Sequence, residues 1–138
     1  MIKPSDNAAY RYPVSVKGVV CVDGKIPLLK NERDEFELPG GKLELDEQPN
    51  VCVGREIKEE LNIDVEVIGI IDSWLYHIDG DTHVLIVTYA CRTNNKTSDL
   101  KYSSEHKELG VFELDEIKDL VMPEGYKSSI EKYRASLC

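Results

Sequence analysis

The stretch from Leu38 to Ile63, LPGGKLELDEQPNVCVGREIKEELNI, constrains this chain more than any other. Pro39-Gly40-Gly41 breaks any regular element and lets the backbone turn sharply or approach a ligand closely. A helix then reads from Pro49 to Leu61. Proline suits the first helical position. Val53, Ile57 and Leu61 recur every four residues as a core stripe. Asn62 suits the left-handed cap that follows. Glu56, Glu59 and Glu60 fall within an arc of roughly 100° on that helix, centred away from the apolar stripe. Like charges at these spacings repel, and Arg55 is a single compensating charge. Oxygen donors in such a group suit a hard divalent cation. In an acidic chain a glutamate cluster is more often a solvated face, so the flanks must decide.

The rest of the chain reads as alternating strands and helices. Val14 to Val22 is a β-branched strand, and Asp23-Gly24 a hairpin turn. Lys25 to Lys30 is a second strand, with Pro27 placing it at an edge. Asn31 to Glu37 reads as a charged loop. Asp64 to Ile78 is one long strand or two short ones, interrupted near Gly69. Asp79-Gly80-Asp81 turns the chain into a strand over Thr82 to Arg92. Thr93 to Ser104 is a polar loop, Glu108 to Glu113 a short strand, and Asp115 to Leu120 a short helix. Residues 123–137 form a closing helix, with Ile130 and Tyr133 among its apolar positions. Residues 1–12 read as an N-terminal arm. This order predicts an α/β fold, a mixed sheet with helices on its faces.

Composition bounds the function. At 138 residues and 41% hydrophobic the chain is one domain with a real core. A formal net charge of -9 argues against general nucleic-acid binding, which needs clustered Lys and Arg. A phosphate-bearing small molecule remains open if a cation stands between the two negative charges. No apolar run approaches the ~20 residues a membrane helix needs. The N-terminus carries no apolar signal core, so the expected location is cytoplasmic. Cys21, Cys52, Cys91 and Cys138 include no Cys-x-x-Cys pair, which argues against structural zinc. The first three read as small core residues.

The flanks of the glutamates carry a specific pattern. Gly41, Glu47, Arg55-Glu56-Ile57 and Glu59-Glu60 resemble the signature of the Nudix hydrolases: Gly, five residues, Glu, seven residues, Arg-Glu, an apolar residue, any residue, Glu-Glu. Every charged position matches. Asn62 stands where the family usually has Gly, and Asp46 where Gly is frequent; both types tolerate the left-handed conformation. The box covers residues 40–63, and the similarity in layout extends over about residues 12–135.

The resemblance implies an α/β/α sandwich with a loop–helix–loop catalytic motif. It implies hydrolysis of a nucleoside diphosphate linked to a further group. Glu56, Glu59 and Glu60, with the Gly40 carbonyl, would hold one to three Mg²⁺ or Mn²⁺ ions. Glu59 is the first choice for general base and Glu56 the second; Glu105, just before the short strand at Glu108, is the third. Arg55 would orient Glu56 and offset its charge, and Glu47 would pair with Arg55, while Gly41 supports the loop. Leu38, Trp74 and Tyr76 are candidate substrate contacts, the last two sharing a strand face. His106, beside Glu105, is a weaker candidate base or metal neighbour. His77 and His83, flanking a turn, read as surface residues. Arg33 and Lys42 flank the loop within reach of a phosphate.

Substrate marks lie outside the box and are mostly missing here. There is no Pro about 15 residues after it, as ADP-ribose pyrophosphatases carry. Tyr76 is only loosely placed for the diadenosine polyphosphate group. The short chain is most similar to MutT-type nucleoside triphosphate pyrophosphatases, with oxidised nucleotides included. ADP-ribose, nucleotide sugars and dinucleoside polyphosphates are alternatives. A non-catalytic nucleotide sensor is an alternative of another class, although sensors generally lack a box carboxylate. An RNA-cap hydrolase would want a basic channel. Family members are often dimers, which is the ground for considering a homodimer.

Overall fold

The computed structural model describes residues 9–136; residues 1–8 of the expected arm lie outside the described part. The strands are β1 (Val14–Cys21), β2 (Ile26–Lys30), β3 (Phe36–Glu37), β4 (Gly40–Lys42), β5 (Glu66–His77), β6 (His83–Arg92) and β7 (Glu108–Phe112). The helices are α1 (Pro49–Leu61) and α2 (Glu124–Ser136). Short 3₁₀ turns cover Thr97–Asp99 and Leu114–Asp119, the latter where a short helix is expected from the sequence.

One sheet runs β4-β1-β6-β5 and the other β3-β2-β7. In the first, β1 and β6 are parallel while β4 and β5 pair antiparallel, so the sheet is mixed. Side chains alternate along β1. Val16 and Val20 face α1 and meet Val53, Ile57 and Leu61. Val19 faces the other way, into a core with Tyr126, Ile130 and Tyr133 of α2. The two helices therefore cover opposite faces of the sheet, an α/β/α sandwich. The bounds of α1 match the sequence reading, and α2 begins at Glu124, one residue later than expected. Asn62 takes φ 64°, and its N–H closes the helix on the Lys58 carbonyl at 3.0 Å.

Several local expectations need correction. β2 is the centre of its sheet, not an edge. Pro27 is tolerated because β3 pairs only with Leu29 and Lys30, leaving Pro27 opposite Val111 of β7 alone. The supposed loop to Glu37 ends in β3, and Gly40-Gly41 lies within a strand that pairs with β1. Both segments are too short to show alternation in sequence. β5 is continuous, with register shifts between Val67 and Gly69 and between Ile70 and Asp72, which is how the break near Gly69 is absorbed. Among the described residues no helix is long and apolar enough to cross a membrane.

Candidate active site

Two glycines bring β4 against α1. Gly40 has φ 146°, and a Cβ there would lie 2.0 Å from the Val16 carbonyl oxygen, so no side chain fits. Its N–H donates to Glu60 Oε1 at 2.9 Å. A Cβ on Gly41 would lie 2.5 Å from Glu56 Cδ; the missing side chain is the space that Glu56 fills. Asp46 takes the left-handed φ of 67° expected at a position where Gly is frequent.

Arg55 organises the carboxylates. Its Nε and Nη2 donate to the two Glu47 oxygens at 2.7 and 2.8 Å, a two-point hold between loop and helix. Nη1 reaches Glu59 Oε2 at 3.1 Å and Glu56 Oε2 at 3.3 Å. The bonds to Glu47 and then Glu59 keep Arg55 more firmly protonated than an ordinary arginine. Hydrogen bonding to Arg55 lowers the Glu47 pKa.

Burial is the main influence on Glu56 and Glu60. It raises the Glu56 pKa against Arg55, and the charges of Glu59 and Glu105 add to the rise. Burial pushes Glu60 up to about 7, opposed by the Gly40 N–H, Lys17 and His106. Glu60 is 6% exposed because it borders the apolar stripe of α1. Its neighbours leave an excess of negative charge at the face of the helix.

The helix brings Glu56, Glu59 and Glu60 together with Gly40, as the spacing predicts. Among the described residues, however, no three acidic, His or Cys side chains converge tightly enough to grip a metal as they stand. Glu56 and Glu59 are turned to Arg55, and Glu60 to the Gly40 amide. Exposed Glu105 is near enough for its charge to act on Glu56, which puts the loop before β7 at the same face.

A cavity of about 320 Å³ opens on the other side of β1. Tyr76, Tyr126 and Ile86 supply apolar walls, and Lys17, Arg33 and Lys42 supply positive charge. Trp74 is not part of this wall. It packs under the start of α2, with its ring 5.0 Å from Tyr126 and hard against Gly125. Leu38 is fully buried and sits in the α2 core, so its side chain does not face the cavity as expected. Arg33 is engaged by Glu32 and Glu35.

The sequence reading missed a buried polar network between the cavity and the carboxylates. Glu37 Oε2 lies 3.2 Å from His106 Nε2 and 3.9 Å from Lys17 Nζ, and Glu37 Oε1 accepts from Asn31 at 3.2 Å. His106 thus hydrogen-bonds Glu37 and acts on Glu60 of α1 through its charge. A lone Lys on a largely buried strand with no other charged residue was the available signal. His77 and His83, expected as surface residues, form an exposed pair with Nδ1 atoms 2.6 Å apart.

The layered core and the loop–helix–loop carrying these charges define a class: an α/β/α domain that presents a carboxylate cluster beside a basic-walled cleft. The chain belongs to the NUDIX domain family, whose model matches residues 11–133, and is an enzyme of the Nudix hydrolase kind. It is similar to a MutT-like protein of Streptomyces ambofaciens, 48% identical over 58 residues, which cover 41% of this chain and 38% of that protein. It is also similar to an ADP-ribose pyrophosphatase of Methanocaldococcus jannaschii, 30% identical over 129 residues, covering 87% of this chain and 75% of that one. Among solved structures it resembles a C. elegans Ap4A hydrolase binary complex, with a TM-score of 0.78 and 20% identity, covering 91% and 97% of the two chains. At that identity the likeness bears on the fold alone.

Proposed function

We propose that this chain is a divalent-cation-dependent pyrophosphohydrolase that cleaves a phosphoanhydride bond in a nucleoside diphosphate linked to a further group. A nucleoside triphosphate, oxidised forms included, is the first substrate to consider. The observation that carries this reading is the placement on one helix of Glu56 and Glu59 against Arg55 and of Glu60 against the Gly40 amide, close to a cavity walled by tyrosines and cations. At about 320 Å³ the cavity is at the small end of ligand sites, which run roughly 300–1,000 Å³. That size suits a single nucleoside end.

The donor set fits a hard cation. Glu56, Glu59, Glu60 and the Gly40 carbonyl offer oxygen alone, as Mg²⁺ or Mn²⁺ prefers. Burial disfavours the charged forms of Glu56 and Glu60, a cost that such an ion offsets. When bound, one to three ions supply neutralisation of phosphate charge and a more acidic water. The protein supplies the rest. Glu59, exposed and held through Oε2 by Arg55, accepts the proton of the attacking water; Glu56 is the second choice and Glu105 the third. Arg55 positions Glu56 and Glu59, and Glu47 fixes Arg55 to the loop. Tyr76 and Tyr126 flank the nucleoside.

The Methanocaldococcus relative supports a second reading, with ADP-ribose as substrate. One screen separates the two. Nucleoside triphosphates, oxidised nucleotides, ADP-ribose, nucleotide sugars and dinucleoside polyphosphates are incubated with Mg²⁺ or Mn²⁺, with EDTA and Glu59→Gln as controls. Cation-dependent formation of a nucleoside monophosphate together with the phosphorylated second product, lost in the variant, is expected, and the best substrate decides between readings. Tight nucleotide binding with no turnover on any substrate would overturn the hydrolase and favour a sensor.

A further inference from the structure

His77 ends β5 and His83 begins β6, and the register sets them directly opposite each other. Cβ atoms of such a pair stand about 4.5–5.5 Å apart on one face of the sheet. Successive side chains of a strand point to opposite faces. Tyr76, Ile78, Thr82 and Val84 line the cavity, so the two histidines lie on the reverse of that wall. Their rings meet with centres 4.7 Å apart and planes at 74°, and the two Nδ1 atoms converge to 2.6 Å. The hairpin is closed just beyond the pair. The Ile78 N–H donates to the Thr82 carbonyl at 2.9 Å, and Asp79 Oδ1 accepts from the Asp81 and Thr82 N–H groups at 2.8 and 2.9 Å. The rings therefore stand on a fixed frame. The same turn carries the Asp79 carboxylate, near enough for the charge of His83 to act on it. Tyr10 packs edge-on against His83, with ring centres 6.4 Å apart.

A hydrogen bond between two neutral imidazoles uses a proton on one Nδ1 and the lone pair of the other. With that proton moved to Nε2, two lone pairs face one point. Neutral imidazole nitrogens are the ligands that a borderline divalent ion such as Zn²⁺ takes. With Zn–N bonds of about 2.0–2.1 Å, a tetrahedral ion holds two nitrogens about 3.3 Å apart. From 2.6 Å the Nδ1 atoms must part by roughly 0.7 Å, and the exposed His77 ring has room to swing. We infer that His77 and His83 form a second cation site, which takes a borderline divalent ion such as Zn²⁺ through both Nδ1 atoms. Among the described residues no third His, Cys, Asp or Glu converges with the pair, so water completes the coordination. Mg²⁺ prefers oxygen and fits this pair poorly. The two sites of the molecule thus sort ions by ligand chemistry, and the histidine site stands whether or not the chain is a hydrolase. An ion bound there cross-links β5 to β6 and braces the cavity wall of Tyr76, Ile78, Thr82 and Val84.

Titration of the full chain with Zn²⁺ tests this. The chain carries no affinity tag, and saturating Mg²⁺ keeps the carboxylates of α1 occupied. Long-range proton–nitrogen NMR spectra read the histidine rings, with His106, held by Glu37, as the internal reference. One equivalent of Zn²⁺ should shift the Nδ1 signals of His77 and His83 together, leave both rings as Nε2–H tautomers, and leave His106 in place. Calorimetry under the same conditions should show one site. His77→Gln and His83→Gln should each weaken it by about 10²-fold, the low end of what joining two ligands adds. Glu60→Gln should leave its affinity unchanged, which separates it from the carboxylates. Zn²⁺ should also raise the Tm of the wild type by more than that of either histidine variant. The wild-type spectra decide the matter even if a variant fails to fold. Zn²⁺ that moves neither ring of the pair, moves only one of them, or binds as tightly in both histidine variants as in wild type overturns the inference.

Discussion

His106 Nε2 lies 3.2 Å from Glu37 Oε2, and that hydrogen bond ties the loop carrying Glu105 to the strand that leads into Gly40 and Gly41. The two residues are far apart in sequence, and both side chains are largely buried. The contact does two things at once. It places Glu105 near Glu56, and it makes Glu37 a counter-ion shared by His106 and Lys17.

The pair gives a defined pH dependence of stability. Burial works against the Glu37 charge, but His106, Lys17 and Asn31 outweigh it and hold the carboxyl down at about 2, from an ordinary 4.5. The bond to Glu37 is the largest influence on His106 and raises its pKa above 6.5 against burial. A depressed acid contributes stability that is complete above its unfolded pKa and lost as pH falls toward the folded one. A raised base contributes stability that is complete below its unfolded pKa and lost as pH rises through the folded one. The pair is therefore worth most between pH 4.5 and 6.5. His106→Gln should cost about 1–3 kcal/mol at pH 5.5, clearly less at pH 9. Thermal melts of both proteins across pH 3–9 check this; a constant difference in Tm would refute it.

Glu60 has the opposite sign. Burial, resisted by the Gly40 N–H, lifts its pKa from 4.5 to about 7. An acid with a raised folded pKa makes the unfolded state the better home for the charge, so stability falls as pH rises from 4.5 to 7. Glu60→Gln keeps an oxygen for the Gly40 amide and removes the buried charge. In EDTA at pH 8 the variant should be more stable than wild type, by on the order of 2–3 kcal/mol. With Mg²⁺ the order should reverse, since the wild type gains a ligand and the variant gains little. Urea denaturation with and without the ion measures both arms.

How much of this was legible in the sequence follows from the range of each interaction. Helix α1 was readable to its bounds because Pro49, the Val53/Ile57/Leu61 spacing and Asn62 are all local signals. The spacing of Glu47, Arg55, Glu56, Glu59 and Glu60 located the charged face for the same reason. β3 and β4 were not readable, because two or three residues show no periodicity. Leu38 was a candidate substrate contact, yet it lies in a core with residues of β1, β2 and α2 that only the fold brings together. The Lys17, Glu37 and His106 network joins three distant segments. Its one local trace was the single charged residue in the strand Val14–Cys21.

The adjacent glycines should behave differently. Alanine at Gly40 must take φ near 146° and push Cβ to within 2.0 Å of the Val16 carbonyl; two strands would have to move. Gly40→Ala should lose on the order of 3–5 kcal/mol of stability. Alanine at Gly41 meets only the Glu56 carboxylate, at 2.5 Å, and a side chain can turn aside. Gly41→Ala should therefore keep a near-native Tm while kcat falls by about 10²-fold, the cost of a displaced reacting group. Denaturation curves and rates on the best substrate of the screen test the contrast. Equal stability losses at the two positions would mean that Gly41 matters for the backbone and not for Glu56.

The last prediction concerns Arg55 as an organiser of other groups. It meets Glu47 at 2.7 and 2.8 Å, Glu59 at 3.1 Å and Glu56 at 3.3 Å. Lysine has one nitrogen and cannot span those directions. Arg55→Lys should lower kcat by on the order of 10²-fold with little change in Tm, because the pair is partly exposed. Glu47→Gln retains one acceptor oxygen and should fall between this variant and wild type. If Glu47 acts only by holding Arg55, the double variant is no worse than Arg55→Lys alone, the non-additivity expected of residues that act as a unit. Losses that multiply would show that Glu47 reaches the reaction by a route of its own, and would move it from supporting the site to taking part in it.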